Sequence, residues 1–226
     1  MTDRDGRTVL IAGATGLVGA ELLELLLADP AVARVSSLVR RPSGRTAETL
    51  DERVVEFDNL AAAVSGPSVD EAYCCLGTTM RAAGSRDAFR RVDLDYVVAF
   101  AGLAQGLGAG SLTVISSLGA NPASRSLYLR TKGEVERDLG ALGLPSLGIV
   151  RPSLLLGRRR QLRIGERAGE LLLRLASPLL AGSLASYRPV HARTVARAMV
   201  HLGRHGEPGV RVVESDEIKR LGAERR

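Results

Sequence analysis

Tyr128 precedes Lys132 by four residues in the stretch SLYLRTKGEVE, residues 126–136. In a helix that spacing stacks the phenol and the ammonium on one face. Such a pair is either an ordinary solvated helix face or a tyrosine whose proton is made available for chemistry. A free tyrosine has a pKa near ~10, too high for efficient general acid–base work at neutral pH. A neighbouring ammonium favours the phenolate and lowers that value. Ser116 and Ser117 end the apolar run SLTVISS shortly before Tyr128. A hydroxyl at a strand end, a tyrosine and a lysine would then converge on one edge of a sheet.

That edge also has the features of a dinucleotide site. The run TVLIAG leads directly into GATGLVG, with Gly13, Gly16 and Gly19. Gly13 permits a tight turn, and Gly16 lets a pyrophosphate approach backbone N–H groups at a helix N-terminus. Gly19 allows close packing of helix on strand. The second apolar run ends in VRRP, with Arg40 and Arg41 where an NAD site usually carries an acid for the ribose 2′-hydroxyl. Guanidinium groups there suit a 2′-phosphate, which points to NADPH. Asp58 and Asn59 follow the third run; they are placed either to hydrogen-bond adenine or to cap the next helix. Gly77 closes the fourth run, where a glycine permits close backbone approach to a ligand.

The elements that must position these residues alternate along the chain. Strands are expected over 8–13, 34–40, 53–57, 71–77, 111–117 and 146–152, and helices follow the first, fourth and fifth of them. The first run is apolar without alternation, as a parallel strand covered on both faces should be. Strand–helix alternation of this kind implies an α/β fold, a doubly wound parallel sheet. A small helical elaboration follows Pro152. Residues 163–175 read as an amphipathic helix over the C-terminal edge of the sheet, so 153–190 is expected to form a substrate lid. Its leucine-rich content suggests an apolar substrate. A helix over 192–201, a strand VRVVE and a final helix capped by Ser215 and stopped at Gly222 complete a single domain spanning 1–226.

Composition narrows the function. At 226 residues, 45 % hydrophobic and 25 % charged, the chain has the balance of a globular enzyme with a substantial core. The net charge is +6, but its one dense basic run, GRRRQLR at 157–163, lacks the stacking aromatics that nucleic-acid binding requires, and reads as a solvated loop. Cys74 and Cys75 are adjacent and cannot staple distant segments; they read as small buried filler, one on each face of a strand. No Cys/His cluster has metal spacing, so no metal is expected. Reduced cysteines and an N-terminus with no apolar core suggest a cytoplasmic protein without a signal peptide or membrane span.

These motifs in this order resemble the short-chain dehydrogenase/reductase superfamily, in its atypical branch. GATGLVG, VRRP, CCLGTTMRAAG, FRRVDLDYV, ISSLGA, LYLRTKGEVE and VRPSLLLG are most similar to the Tat-interacting-protein oxidoreductase family. The resemblance implies a Rossmann fold that binds NADPH. It puts Thr15, Gly16, Leu17 and Val18 on the pyrophosphate, Arg40 and Arg41 on the 2′-phosphate, and Leu76, Gly77 and Thr78 along the cofactor. It makes Tyr128 the proton donor or acceptor, and Lys132 the group that holds the nicotinamide ribose. Ser117, with Ser116 as the alternative, would orient a carbonyl substrate, and Pro152 would border the nicotinamide. Asp93 stands where many members of the superfamily have an asparagine that supports a proton relay, and an ionised carboxylate cannot donate as an amide does. The implied activity is reduction of a carbonyl-type small molecule. A cofactor-loaded regulatory protein acting through protein partners is the alternative, and an epimerase or dehydratase with tightly held NAD is a third. Association into a homo-oligomer is left open.

Overall fold

A computed structural model describes residues 6–60, 66–156 and 189–223. Strand β1, Arg7–Ala12, leads into helix α1, Leu17–Leu27, and then strands β2, Val32–Val39, and β3, Leu50–Val54. A 3-10 turn, Phe57–Asn59, precedes strand β4, Glu71–Cys74. Two short helices follow, α2 at Met80–Ala83 and α3 at Arg86–Arg90. A π-helical turn, Arg91–Asp95, then runs into α4, Tyr96–Gly106. Next come β5, Ser111–Ile115, helix α5, Leu127–Gly140, and β6, Ser146–Arg151. The described chain closes with β7, Leu155–Leu156, β8, Val190–His191, α6, Ala192–Arg204, β9, Gly209–Glu214, and α7, Ser215–Gly222.

Seven strands form one sheet in the order β3-β2-β1-β4-β5-β6-β9, and every neighbouring pair is parallel. This is the doubly wound Rossmann topology. Successive residues of β1 explain its unbroken apolar run. Leu10 and Ala12 face a core shared with Phe100, Ala101, Val135 and Leu139 of α4 and α5. Val9 and Ile11 face the opposite core, built from Leu22 and Leu26 of α1 and Val195 and Met199 of α6. Cys74 and Cys75 divide between the same two layers, as their adjacency predicts. The strand order reverses between β1 and β4, so a crevice opens there at the C-terminal ends of the strands.

Several boundaries differ from those read from the pattern. The third strand lies earlier, at Leu50–Val54, because it pairs with β2 from Val35 to Val39. The long helix expected after the fourth strand begins at Tyr96, after the π-helical turn. Ser215 does not cap α7: Glu214 is the N-cap, and the Ser215 hydroxyl accepts the Ser153 backbone N–H at 3.0 Å. A tertiary partner displaces the local one. Helix α7 does end at Gly222, but without a left-handed glycine cap: Ala223 follows in extended backbone, and Gly222 is needed because a Cβ there would meet the Thr194 carbonyl oxygen at 2.1 Å. Of the lid expected over 153–190, residues 153–156 and 189–190 are described, and they contribute a short parallel β7–β8 ladder. The amphipathic helix and the basic run lie outside the described residues. No described helix is long and apolar enough to cross a membrane.

Candidate active site

The glycine turn forms the floor of the crevice. Gly13 has φ +83°, and a Cβ there would lie 2.4 Å from the Cys75 carbonyl carbon. The position therefore needs glycine both for its backbone angle and for the contact between β1 and the continuation of β4. Gly19 lies where a Cβ would meet the Gly13 carbonyl oxygen at 2.1 Å, so it seats α1 on the turn. Gly16 is the N-cap of α1; no side chain caps this helix, and its first turn holds no acid. The positive end of the helix dipole thus points at the crevice without a built-in counter-charge.

A cavity of about 250 Å³ occupies the crevice. Gly13, Thr15, Gly16, Arg40, Leu76 and Gly77 line it, as the sequence leads one to expect. Phe57, Val92 and Tyr96 also line it; Val92 and Tyr96 lie within FRRVDLDYV, but the sequence singles out none of the three as a site residue. The Phe57 and Tyr96 rings pack at 5.5 Å between centroids. Burial raises the Tyr96 pKa above the usual tyrosine value, and a hydrogen bond to Asp58 adds to the effect. Asp58 is therefore engaged with Tyr96, and Asn59 lies in the 3-10 turn; neither lines the cavity. Arg41 is exposed and also lies off the cavity wall. Leu17 and Val18 form the first turn of α1, with the Val18 side chain buried in the core. A larger hollow of about 440 Å³ lies at the other end of the strands, lined by Gly6, Asp29 and Pro30 among others. Among the described residues lining it the one carboxylate, Asp29, is committed to Arg7 and Arg204.

Tyr128, Lys132 and Asp93 lie beside the cavity and not in its lining. Tyr128 and Lys132 both lie on α5, and their surroundings differ sharply: Tyr128 is 39 % exposed and Lys132 only 4 %. The Tyr128 ring packs on Phe89 with centroids 6.2 Å apart. The Lys132 ammonium pairs with Asp93 Oδ1 at 2.8 Å, and Asp93 Oδ2 accepts the Thr78 backbone N–H at 2.7 Å. Burial pulls the lysine pKa down, but Asp93 and Tyr128 together raise it above the ordinary lysine value. Burial pushes the nearby Cys74 thiol up to about 12, so it does not act as a nucleophile. Gly77 lies between the cavity and these groups: it lines the cavity, and a Cβ built there would lie 3.9 Å from the Lys132 Nζ.

The two serines separate clearly. Ser116 is buried, and its hydroxyl is committed to Glu136, which in turn holds Arg151. Ser117 is half-buried, with only a long contact of 3.4 Å to the Leu118 carbonyl. The Pro152 carbonyl accepts the Leu118 N–H at 3.0 Å, and so ties the serine turn to the end of β6. The link from Ser116 through Glu136 to Arg151 carries no local sequence signal beyond the charges themselves. Among the described residues, no group of His, Cys, Asp and Glu could hold a metal ion.

Gly133 sets how closely α5 approaches this turn. A Cβ there would lie 2.2 Å from the Pro122 nitrogen and 2.3 Å from the Asn121 carbonyl carbon. Both are backbone atoms, which cannot swing aside. Gly133→Ala is expected to cost about 1–3 kcal/mol of stability, as overpacking does. A thermal unfolding scan tests this, and an unchanged or raised melting temperature would contradict it.

The chain matches known proteins along most of its length. The NAD dependent epimerase/dehydratase family matches residues 9–213. Protein HTATIP2 of Rattus norvegicus is 37 % identical over 223 residues, covering 96 % of this chain and 89 % of the relative. The mitochondrial protein fmp52 of Aspergillus fumigatus is 34 % identical, with 86 % of each chain covered. The mitochondrial protein FMP52 of Saccharomyces cerevisiae is 32 % identical, covering 95 % of this chain and 96 % of its own. Among solved structures, MoeE5 in complex with UDP-glucose and NAD superposes with a TM-score of 0.69 at 18 % identity, covering 95 % of this chain and 80 % of that one. The Bordetella bronchiseptica enzyme WbmH in complex with NAD+ gives 0.70 at 15 %, covering 92 % and 76 %. At these identities the structural likeness concerns the fold. The fungal relatives correct one expectation: they are named mitochondrial, so the cytoplasmic placement drawn from the cysteines does not stand. Free thiols mark a reducing environment but do not identify which one. A Rossmann sheet with a glycine turn at its switch point, a family match from residue 9 to 213 and a relative at 37 % identity place this chain in the NAD dependent epimerase/dehydratase family, in the group that includes HTATIP2.

Proposed function

We propose that this chain is an NADPH-dependent reductase of small carbonyl compounds, with Tyr128, Lys132 and Ser117 as its catalytic residues. The observation that carries the reading is the position of Lys132 Nζ, 3.9 Å from where a Cβ on Gly77 would lie. That distance supports a reading in which the helix face carrying Tyr128 and Lys132 adjoins the dinucleotide crevice at Gly77. Two features support a dinucleotide there: Gly13 and Gly16 add no side chain at the glycine turn, and the uncapped end of α1 suits the pyrophosphate. A nicotinamide dinucleotide bound there supplies the hydride. Tyr128 delivers its phenolic proton to the substrate oxygen, and its exposed position leaves the phenol reachable. Lys132 holds the nicotinamide ribose. Ser117 donates a hydrogen bond to the carbonyl oxygen, a role closed to Ser116 by its bond to Glu136. Leu154, 43 % exposed just beyond Pro152, suits an apolar substrate.

The preference for NADPH rests on Arg40, which lines the cavity, more than on Arg41, which does not. A charge-assisted hydrogen bond contributes about 1.5–3 kcal/mol when well placed. One such contact to the 2′-phosphate gives a preference for NADPH over NADH of about 10- to 100-fold. Arg40→Ala is expected to remove most of it by weakening NADPH and sparing NADH, while Arg41→Ala has a smaller effect. Titration calorimetry with both cofactors checks this, and equal wild-type affinities would defeat the assignment. The activity itself is tested by following NADPH oxidation across a panel of aldehydes and ketones. Purification with tightly held NAD and no NADPH oxidation on the panel would overturn the reading in favour of epimerase chemistry.

A further inference from the structure

Asp93 is the most deeply buried carboxylate of the site, at 1 % exposure, and both its oxygens are engaged. Oδ1 takes the Lys132 ammonium at 2.8 Å and Oδ2 takes the Thr78 backbone N–H at 2.7 Å. It sits in the π-helical turn Arg91–Asp95, one residue from Val92 in the cavity wall. Turns of this kind are uncommon inside helices and recur at functional sites. Here the turn brings the carboxylate against both α5 and the segment after β4. We propose that Asp93 is a positioning residue for the dinucleotide: its carboxylate anchors the Lys132 ammonium at the Gly77 wall and leaves the remaining lysine donors for the cofactor ribose. The proposal rests on the reading of the crevice as a cofactor site.

The donor count supports this role. An ammonium carries three N–H donors and no acceptor. Asp93 takes one, which leaves two for a pair of ribose hydroxyls. A lysine at 4 % exposure without a carboxylate would be an uncompensated buried charge. Among the described residues, the other titratable groups facing it are Tyr128 from its own helix and Cys74 from β4, and neither is a carboxylate. Asp93 is thus what keeps Lys132 charged and still. It also explains why a carboxylate can stand where a donating amide is expected: its partner is the lysine, not a water relay.

The test compares the wild-type protein with Asp93→Asn, whose amide oxygen can still accept the Thr78 N–H. In the wild type the lysine pKa is raised, so its contribution to stability is complete below the unfolded value near ~10.4 and is lost only above it. In Asp93→Asn, burial prevails and the lysine pKa falls. The variant is then penalised at neutral pH and gains stability, relative to wild type, as pH rises toward about 10. NADPH affinity should follow the opposite course. In the variant it should fall by roughly tenfold between pH ~7 and ~9 as the ammonium is lost, and stay flat in the wild type. Adding Lys132→Met to Asp93→Asn should abolish both pH differences and recover stability at neutral pH. Parallel pH profiles for wild type and Asp93→Asn, in melting temperature and in affinity, would overturn the proposal. So would a double variant no more stable than the single one, a comparison that holds even if Asp93→Asn alone folds poorly. Wild-type protein that binds no dinucleotide would overturn the function reading as well, whereas NADPH binding with parallel profiles would overturn this inference alone.

Discussion

Tyr128→Phe is expected to lower turnover by about 10²- to 10⁴-fold, the usual worth of general acid–base catalysis, and to leave NADPH affinity nearly unchanged. The substitution removes one oxygen and keeps the ring. The contact with Phe89 at 6.2 Å is retained, and at 39 % exposure the hydroxyl is not part of the core. The Lys132–Asp93 pair is left in place, so the ammonium keeps its position at Gly77. The loss should therefore appear in kcat and not in the dissociation constant, which separates proton transfer from binding. Single-turnover kinetics with saturating NADPH, beside calorimetry of the same variant, makes the measurement. Turnover equal to wild type would remove Tyr128 from the mechanism. A loss confined to cofactor affinity would make it a binding residue instead.

Gly16→Val is expected to weaken NADPH binding by about 100-fold or more, with a melting temperature close to wild type. A Cβ at this position would lie 3.2 Å from the Gly13 carbonyl oxygen and 3.9 Å from that of Cys75, a fit that a small adjustment relieves. The branched methyl groups would then fill the crevice at the N-terminus of α1. Blocking two charge-assisted hydrogen bonds there, at about 1.5–3 kcal/mol each, accounts for the magnitude. Gly19→Val is the contrasting control. Its Cβ would lie 2.1 Å from the Gly13 carbonyl oxygen, which forms part of the turn itself. That variant should lose the fold along with the cofactor. Calorimetry and thermal unfolding on the pair distinguish the two outcomes, and unchanged NADPH affinity in Gly16→Val would place the phosphates elsewhere.

The sequence by itself determined the layers and the glycine turn. Val9 to Ala12 read as a strand covered on both faces, because every residue of the run is apolar, and the two cores receive them alternately. Gly13 and Gly19 read as backbone requirements, and each has a neighbour within 2.4 Å of its missing Cβ. Tyr128 and Lys132 read as one helix face, and α5 carries both. These are local properties, written in periods of two and 3.6 residues and in turns that few side chains can enter. Only the tertiary structure decided the rest. Ser116 and Ser117 are equivalent as a pattern, and Glu136 on α5 separates them by engaging the first. Arg40 and Arg41 are likewise adjacent, and only the path of the chain after β2 puts one of them on the cavity wall. Asp93 read as a substitution for an amide, yet it meets Lys132 across the packing of the π-helical turn on α5. Phe57 and Tyr96 meet because the turn after β3 closes on the start of α4. The cytoplasmic expectation failed for a different reason, since thiol chemistry is the same in any reducing compartment. A residue's own face follows from its immediate neighbours in the chain. The face it meets follows from the order in which strands join the sheet, and that order is set by burying both layers at once.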